Sequence, residues 1–219
     1  VMEDAELESA SAELASVTLH GPRAASIAGS VALQEGVSVA TLHRYLARLP
    51  PGELLAAGQA RRARYGLRRA LRGVVADLPV YAIDTQGQPH TLGELAALRP
   101  EGCWMPLAQA GWPVPGEALD GWWPGLPYPL YDMQPQGYMG RLFARLEHRA
   151  LGVAADPGAW SDDDVLHVLA QRGGDTSGDL IVGDVAYSQW QASRLSRPAA
   201  LAAPDVAPAY EALAALSVA

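Results

Sequence analysis

The sequence predicts an α+β protein, with an N-terminal winged helix-turn-helix followed by a mixed β-rich and helical module. Three observations predict it. Apolar residues recur at helical spacing in three stretches before residue 50, and a basic hairpin pattern follows them. After residue 76, short apolar strand patterns and polar turns alternate with helical segments. Charge also separates along the chain: residues 37–72 hold eight arginines against one acid, Glu53, although all 219 residues together carry a formal charge of −8.

"EDAELESASAELASV" (residues 3–17) reads as a helix with Leu7 and Leu14 inward, and "HGPR" at 20–23 breaks it. "AASIAGSVAL" (24–33) reads as a second, short helix. A "QEG" turn follows, with Gly36 free to take a left-handed backbone. "SVATLHRYLARL" (38–49) is the third helix, with Ser38 as its N-cap and "PPGE" ending it. "ELLAA" and "RYGLRR" are two strands joined by the basic turn "GQARRA". Three helices with a tight turn before the third, then a hairpin, is the order of a winged helix-turn-helix.

On a helical wheel, Val39, Leu42, Tyr45, Leu46 and Leu49 share the packing face of the third helix. Thr41, Arg44 and Arg48 lie on the opposite face, with His43 on the flank. That second face suits a DNA major groove: Arg44 can fork onto a guanine, and Thr41 can meet a base or a phosphate. Arg61, Arg62 and Arg64 fall at the wing tip, placed for phosphates or the minor groove, and Arg68 extends the cationic run. The expected DNA-binding set is therefore Ser38, Thr41, His43, Arg44, Arg48, Arg61, Arg62, Arg64 and Arg68. The competing reading makes "RRARYGLRR" a solvated surface strip. The preceding helix-turn-helix pattern, and the concentration of half the chain's arginine within residues 37–72, favour duplex DNA as partner.

Beyond Asp77, "PVYAIDTQGQPHTL" reads as strand, polar turn at 84–87, strand, and "LGELAAL" (92–98) as a short helical piece. Residues 100–129 are rich in Pro, Gly and Trp. Packing of these tryptophans onto a core is favoured over exposed sugar or peptide binding. "PQGYMGRLFARLEHRALG" (135–152) is a helix in which Tyr138, Leu142 and Leu146 recur beside Met139 and Phe143, with Gly152 as C-cap. "WSDDDVLHVLAQRGG" (160–174) is another. Its Ser161 caps it, and Asp162, Asp163 and Asp164 complement the helix dipole rather than hold a metal. "GDLIVG" (178–183) is a buried strand and "DVAYSQWQAS" opens a small helix. "RPAALAAPDVAP" is a connector, and "AYEALAALSVA" is an apolar half-helix without a cap, which asks for a cover from further chain or a partner.

Composition excludes several chemistries. There is no lysine; all sixteen basic residues are arginine, so the chain offers neither a phosphate-gripping lysine nor a Schiff base. The five histidines and Cys103 show no metal-ligand spacing, and Cys103 reads as core. No nucleophile-elbow or P-loop pattern occurs, and "RGGDTSGD" (172–179) runs from helix to strand, the reverse of a phosphate cradle. A single cysteine, no signal-like start and no apolar span lead to the expectation of a cytoplasmic protein with no membrane partner.

Three stretches resemble a known family. "GLPYPLYDMQPQGYMGRLFAR" (125–145) is similar to the segment of HipA-type toxin kinases in which "LPxFLxNLLPEG" is usual, with Gln136 standing where that pattern has Glu. "SDDDVLHVLAQRGGDTSGDLIVG" (161–183) resembles their "LLxxLGxDxxGAL" element. The preceding "SxxTxxRxLxxL" and "RxxRYxLRR", matched by Ser38–Leu49 and Arg61–Arg69, resemble the YjjJ (HipH) subfamily, which fuses a winged helix to the kinase. The resemblance covers nearly all of residues 15–219. It implies a toxin-antitoxin serine/threonine kinase as parent, with ATP and Mg needed only there, because the family's ATP loop, lysine and catalytic aspartates follow the matched segment. This chain then corresponds to a non-catalytic, DNA-binding N-terminal half: winged helix over 1–75, HipA-like N-terminal subdomain over 76–197, connector and helix start over 198–219. Expected partners are duplex DNA, a kinase core in the same or another polypeptide, and a second copy in a homodimer. Alternative readings are the full-length kinase acting on a translation protein, a stand-alone transcription regulator, and a subunit that holds a separate kinase.

Overall fold

A computed structural model describes residue 44 and residues 47–57, 64–107, 113–196 and 202–218. The helices expected over 3–17 and 24–33, the turn at Gly36 and most of 38–49 lie outside the described residues. Of that third helix, Arg44 is helical, while Ala47 and Arg48 already form a turn ahead of Pro50.

Among the described residues, seven strands form two antiparallel sheets. β1 (Leu54–Ala57) and β2 (Arg64–Leu67) make a hairpin in which Ala57 pairs with Arg64 and Leu54 with Leu67. The larger sheet has the order β6-β5-β4-β3-β7. It is built from β3 (Leu78–Ile83), β4 (Pro89–Ala97), β5 (Cys103–Trp104), β6 (Trp122–Trp123) and β7 (Leu180–Val182). Asp84 closes the β3–β4 turn: its Oδ1 accepts from the backbone N–H groups of Gln86 (2.9 Å) and Gln88 (2.7 Å).

The helical piece expected over 92–98 is strand instead. β4 runs through Ala97, and Leu98 bridges to Arg68. The reason is burial on both faces. Leu95 and Ala97 enter the main core, whereas Ala96 and Leu98 pack with Leu55 and Trp122 on the other side. A strand covered twice loses the apolar–polar alternation that marks strands, so "LGELAAL" reads as a short helix.

Five α-helices follow β6 among the described residues. α1 is Tyr128–Asp132, α2 Gly137–Leu151, α3 Asp162–Arg172, α4 Asp184–Leu195 and α5 Ala203–Val218. α2 ends on Gly152 in the left-handed region (φ 64). α3 starts with a capping box: Ser161 Oγ accepts from the Asp164 N–H, and the Asp164 carboxylate accepts from the Ser161 N–H at 3.0 Å. α5 begins at Ala203, inside the stretch expected to be a connector. Pro204 falls in its first turn, where a missing N–H costs no helical bond.

The main core joins Val80, Leu95, Met105, Leu130 and Val182 to the inner face of α3. Trp122 and Trp123 are buried and Trp104 is half-buried, as packing requires. The Trp123 indole donates to Met105 O at 2.9 Å and that of Trp104 to Asp120 O at 3.1 Å. α2 presents the opposite face from the one its apolar repeat suggests. Gly140 and Ala144 are buried, while Tyr138, Met139, Leu142 and Leu146 face out. Gly140 sits so close to Pro135 that any Cβ there would lie 2.4 Å from its carbonyl carbon, which draws the small-residue side inward.

Candidate nucleic-acid interface

The basic run divides into two parts with different surroundings. Its C-terminal part meets the chain's own acids. Arg68 grips Asp77 with two bonds, Nε–Oδ1 and Nη2–Oδ2, both 2.7 Å. Its Nη1 donates to the carbonyls of Gly52 and Leu54 at 3.1 Å each. Arg69 Nη2 reaches Asp163 Oδ1 at 2.6 Å, and its Nη1 donates to Leu98 O and Pro100 O. Arg72 pairs with Asp164, the same carboxylate that completes the α3 capping box. The Arg68 and Arg69 bridges are forked guanidinium–carboxylate contacts at partly buried positions, the geometry in which arginine pairs hold best, whereas the Arg72 bridge is exposed.

Arg72 has φ 51 and Gly73 φ 83, and Leu71 and Val74 exchange both backbone hydrogen bonds across them. That is a two-residue turn requiring positive φ twice. An arginine at the first position is strained, and its ion pair to Asp164 accompanies the strain.

The hairpin is also fastened by packing. Leu55 enters the small core with Ala96, Leu98 and Trp122. Gly66 faces the Trp122 ring, and a Cβ there would approach Cζ3 to 2.9 Å. The backbone continues the link: Arg69 N donates to Ala97 O and Arg99 N to Leu67 O, both at 2.8 Å. The Trp122 indole N–H, buried under the hairpin, has no hydrogen-bond partner among the described residues.

The other expected DNA contacts are placed as follows. Arg64 opens β2, with its guanidinium carbon 4.9 Å from the Trp122 ring centroid. Burial lowers its pKa, and Asp120 nearby opposes that. Arg44 and Arg48 are exposed. Ser38, Thr41, His43, Arg61 and Arg62 lie outside the described residues. The residues that join the two strands, 58–63, include Arg61 and Arg62. Arg68, by contrast, spends its donors inside the chain.

Sequence reasoning assigned the triple Asp to the helix dipole alone and missed its second role. The signal was present as an excess of acid at 162–164 and of arginine at 68–72, but no local pattern joins positions so far apart. Among the described residues, no group of His, Cys, Asp and Glu is arranged to hold a metal, and no helix is long and apolar enough to cross a membrane. A cleft of about 430 Å³ opens beside the start of α2, lined in part by Gln136, Arg141, Asp156 and Trp160.

The family model described as "YjjJ-like toxin, middle domain" matches residues 74–191. The chain belongs to the YjjJ-like toxins. It is 31% identical over 178 residues to Toxin YjjJ of Escherichia coli (strain K12), a match covering 81% of this chain and 37% of that protein. The chain thus spans little more than a third of that curated relative's length. No solved structure matches it. In this YjjJ-like chain the middle-domain match starts just after the Arg72–Gly73 turn. Asp77, Asp163 and Asp164 therefore lie within the matched segment, and the three arginines that grip them lie before it.

Proposed function

We propose that this YjjJ-like chain is the DNA-binding N-terminal half of a HipA-like toxin-antitoxin serine/threonine kinase, non-catalytic over these 219 residues. A winged helix-turn-helix over 1–75 reads duplex DNA, and the middle module connects it to a kinase core that uses ATP and Mg. The observation that carries the reading is the braced hairpin. Arg68, Arg69 and Arg72 tie its base to Asp77, Asp163 and Asp164, so the strands that flank the basic segment 58–63 are held on a fixed support. A rigid support suits a wing, because phosphate contacts set register only if their carrier is held.

The DNA contacts are Ser38, Thr41, His43, Arg44, Arg48, Arg61, Arg62 and Arg64. Arg68 serves as the brace rather than as a phosphate contact. The missing lysine fits a portion of the parent that does not handle the nucleotide. Fluorescence anisotropy with labelled duplex DNA across a salt titration tests the proposal. Binding whose logarithm falls linearly with log salt supports it. Absence of binding at low salt rejects it.

A further inference from the structure

Two helices of this chain expose apolar rows, and they carry opposite charge. On α2, Tyr138, Leu142 and Leu146 recur every fourth residue with Met139 beside them; Leu146 and Met139 are 73% and 70% exposed. Arg141, Arg145 and Arg149 line one edge of that row at the same spacing. All three are exposed, and none has an ion pair or side-chain hydrogen bond among the described residues. α5 is the converse. Its only charged residues are Asp205 and Glu211. Val206 and Tyr210 share one exposed face, and Leu213 continues the spacing in the sequence. Helices owe most of their stability to a buried face, so both rows call for a cover.

We infer that α5 of one copy docks on α2 of a second copy, and reciprocally, to form a twofold dimer. Among the described residues neither row is closed: α2 packs on α3 and on the turn at Pro157–Ala159, and no element packs extensively on α5. Charge selects the pairing. α2 against α2 would set arginines against arginines, and α5 against α5 carboxylates against carboxylates; only α2 against α5 joins opposite signs. Reciprocity supplies area. One helix-on-helix contact falls short of the about 1,200–2,000 Å² of a stable specific interface, and the twofold axis makes two. The contact is independent of the DNA-binding reading.

Light scattering coupled to size exclusion, run on the 219-residue chain over a range of concentrations, tests the dimer. Leu146→Asp and Tyr210→Asp alter exposed side chains, and circular dichroism verifies that each variant keeps its fold. Each alone is expected to weaken self-association by about tenfold or more. An equimolar mixture of the two is expected to recover part of it, since one intact α2 face then meets one intact α5. Raising the salt is expected to shift the equilibrium toward monomer. A wild-type chain that stays monomeric overturns the proposal, whether α5 folds back on its own α2 or another partner takes the face. A dimer that survives both substitutions, or a mixture no better than either variant, overturns it equally.

Discussion

Arg69 and Asp163 stand 94 residues apart in the chain and meet at 2.6 Å. The pair fastens the hairpin that carries the basic turn to the first turn of α3, beside the parallel bridge from Arg72 to Asp164. Within what reads as one cationic strip, Arg68, Arg69 and Arg72 are structural, and their role is separable by experiment from that expected of Arg61 and Arg62.

Replacing Arg69 with Ala leaves the partly buried Asp163 without its guanidinium and removes the donors to Leu98 and Pro100. A loss of about 1–3 kcal/mol is expected in urea unfolding. A double-mutant cycle with Asp163→Asn is expected to show coupling between the two sites. The salt dependence of DNA binding is expected to stay unchanged, because Arg69 faces the protein.

Arg62→Ala is expected to do the reverse. Stability stays within about 0.5 kcal/mol, and the slope of log affinity against log salt falls by about one unit. Arg44→Ala is expected to relax sequence preference at a cost of about 1–3 kcal/mol against the cognate site. Anisotropy on cognate and scrambled duplexes measures both, and full retention of discrimination by Arg44→Ala counts against a base-reading role.

Gly66→Ala drives a methyl group to within 2.9 Å of the Trp122 ring. Either the hairpin or the indole must shift, at about 1–3 kcal/mol. Thermal unfolding together with a change in tryptophan emission reports it; an unchanged melting temperature would show that the hairpin does not press on Trp122.

Tyr81 donates to Asp184 Oδ1 at 2.7 Å and stacks on Tyr187 with ring centroids 4.0 Å apart. The bond to Asp184, aided by burial and the carboxylate's charge, raises its pKa to about 12. A phenol whose folded pKa exceeds its unfolded value contributes stability that is complete below about pH 10 and fades as pH rises toward 12. Ultraviolet titration is expected to show one late-ionising tyrosine, and Asp184→Asn is expected to bring it earlier.

Cys103 is buried, its thiol 3.2 Å from Gly125 O, and burial pushes its pKa far up. A thiol reagent is expected to leave the folded chain unlabelled and to react at the rate of unfolding. Rapid labelling under native conditions would contradict its burial.

The sequence by itself determined the local features. Ser161 and the acids behind it announce the start of α3, Gly152 the end of α2, and "GDLIVG" a buried strand, because caps and short apolar runs act over a few residues. It also determined the charge asymmetry and the lack of lysine. Only the tertiary structure decided that Arg68, Arg69 and Arg72 are spent internally, since they read as part of one basic run until the fold brings Asp77, Asp163 and Asp164 beside them. It likewise decided that "LGELAAL" is a strand and that Tyr138, Leu142 and Leu146 face outward. Burial on two sides erases alternation, and on α2 the tight approach of Pro135 to Gly140 outranks the apolar repeat. Periodicity reports which residues can pack together; close approach between distant segments selects the face that does.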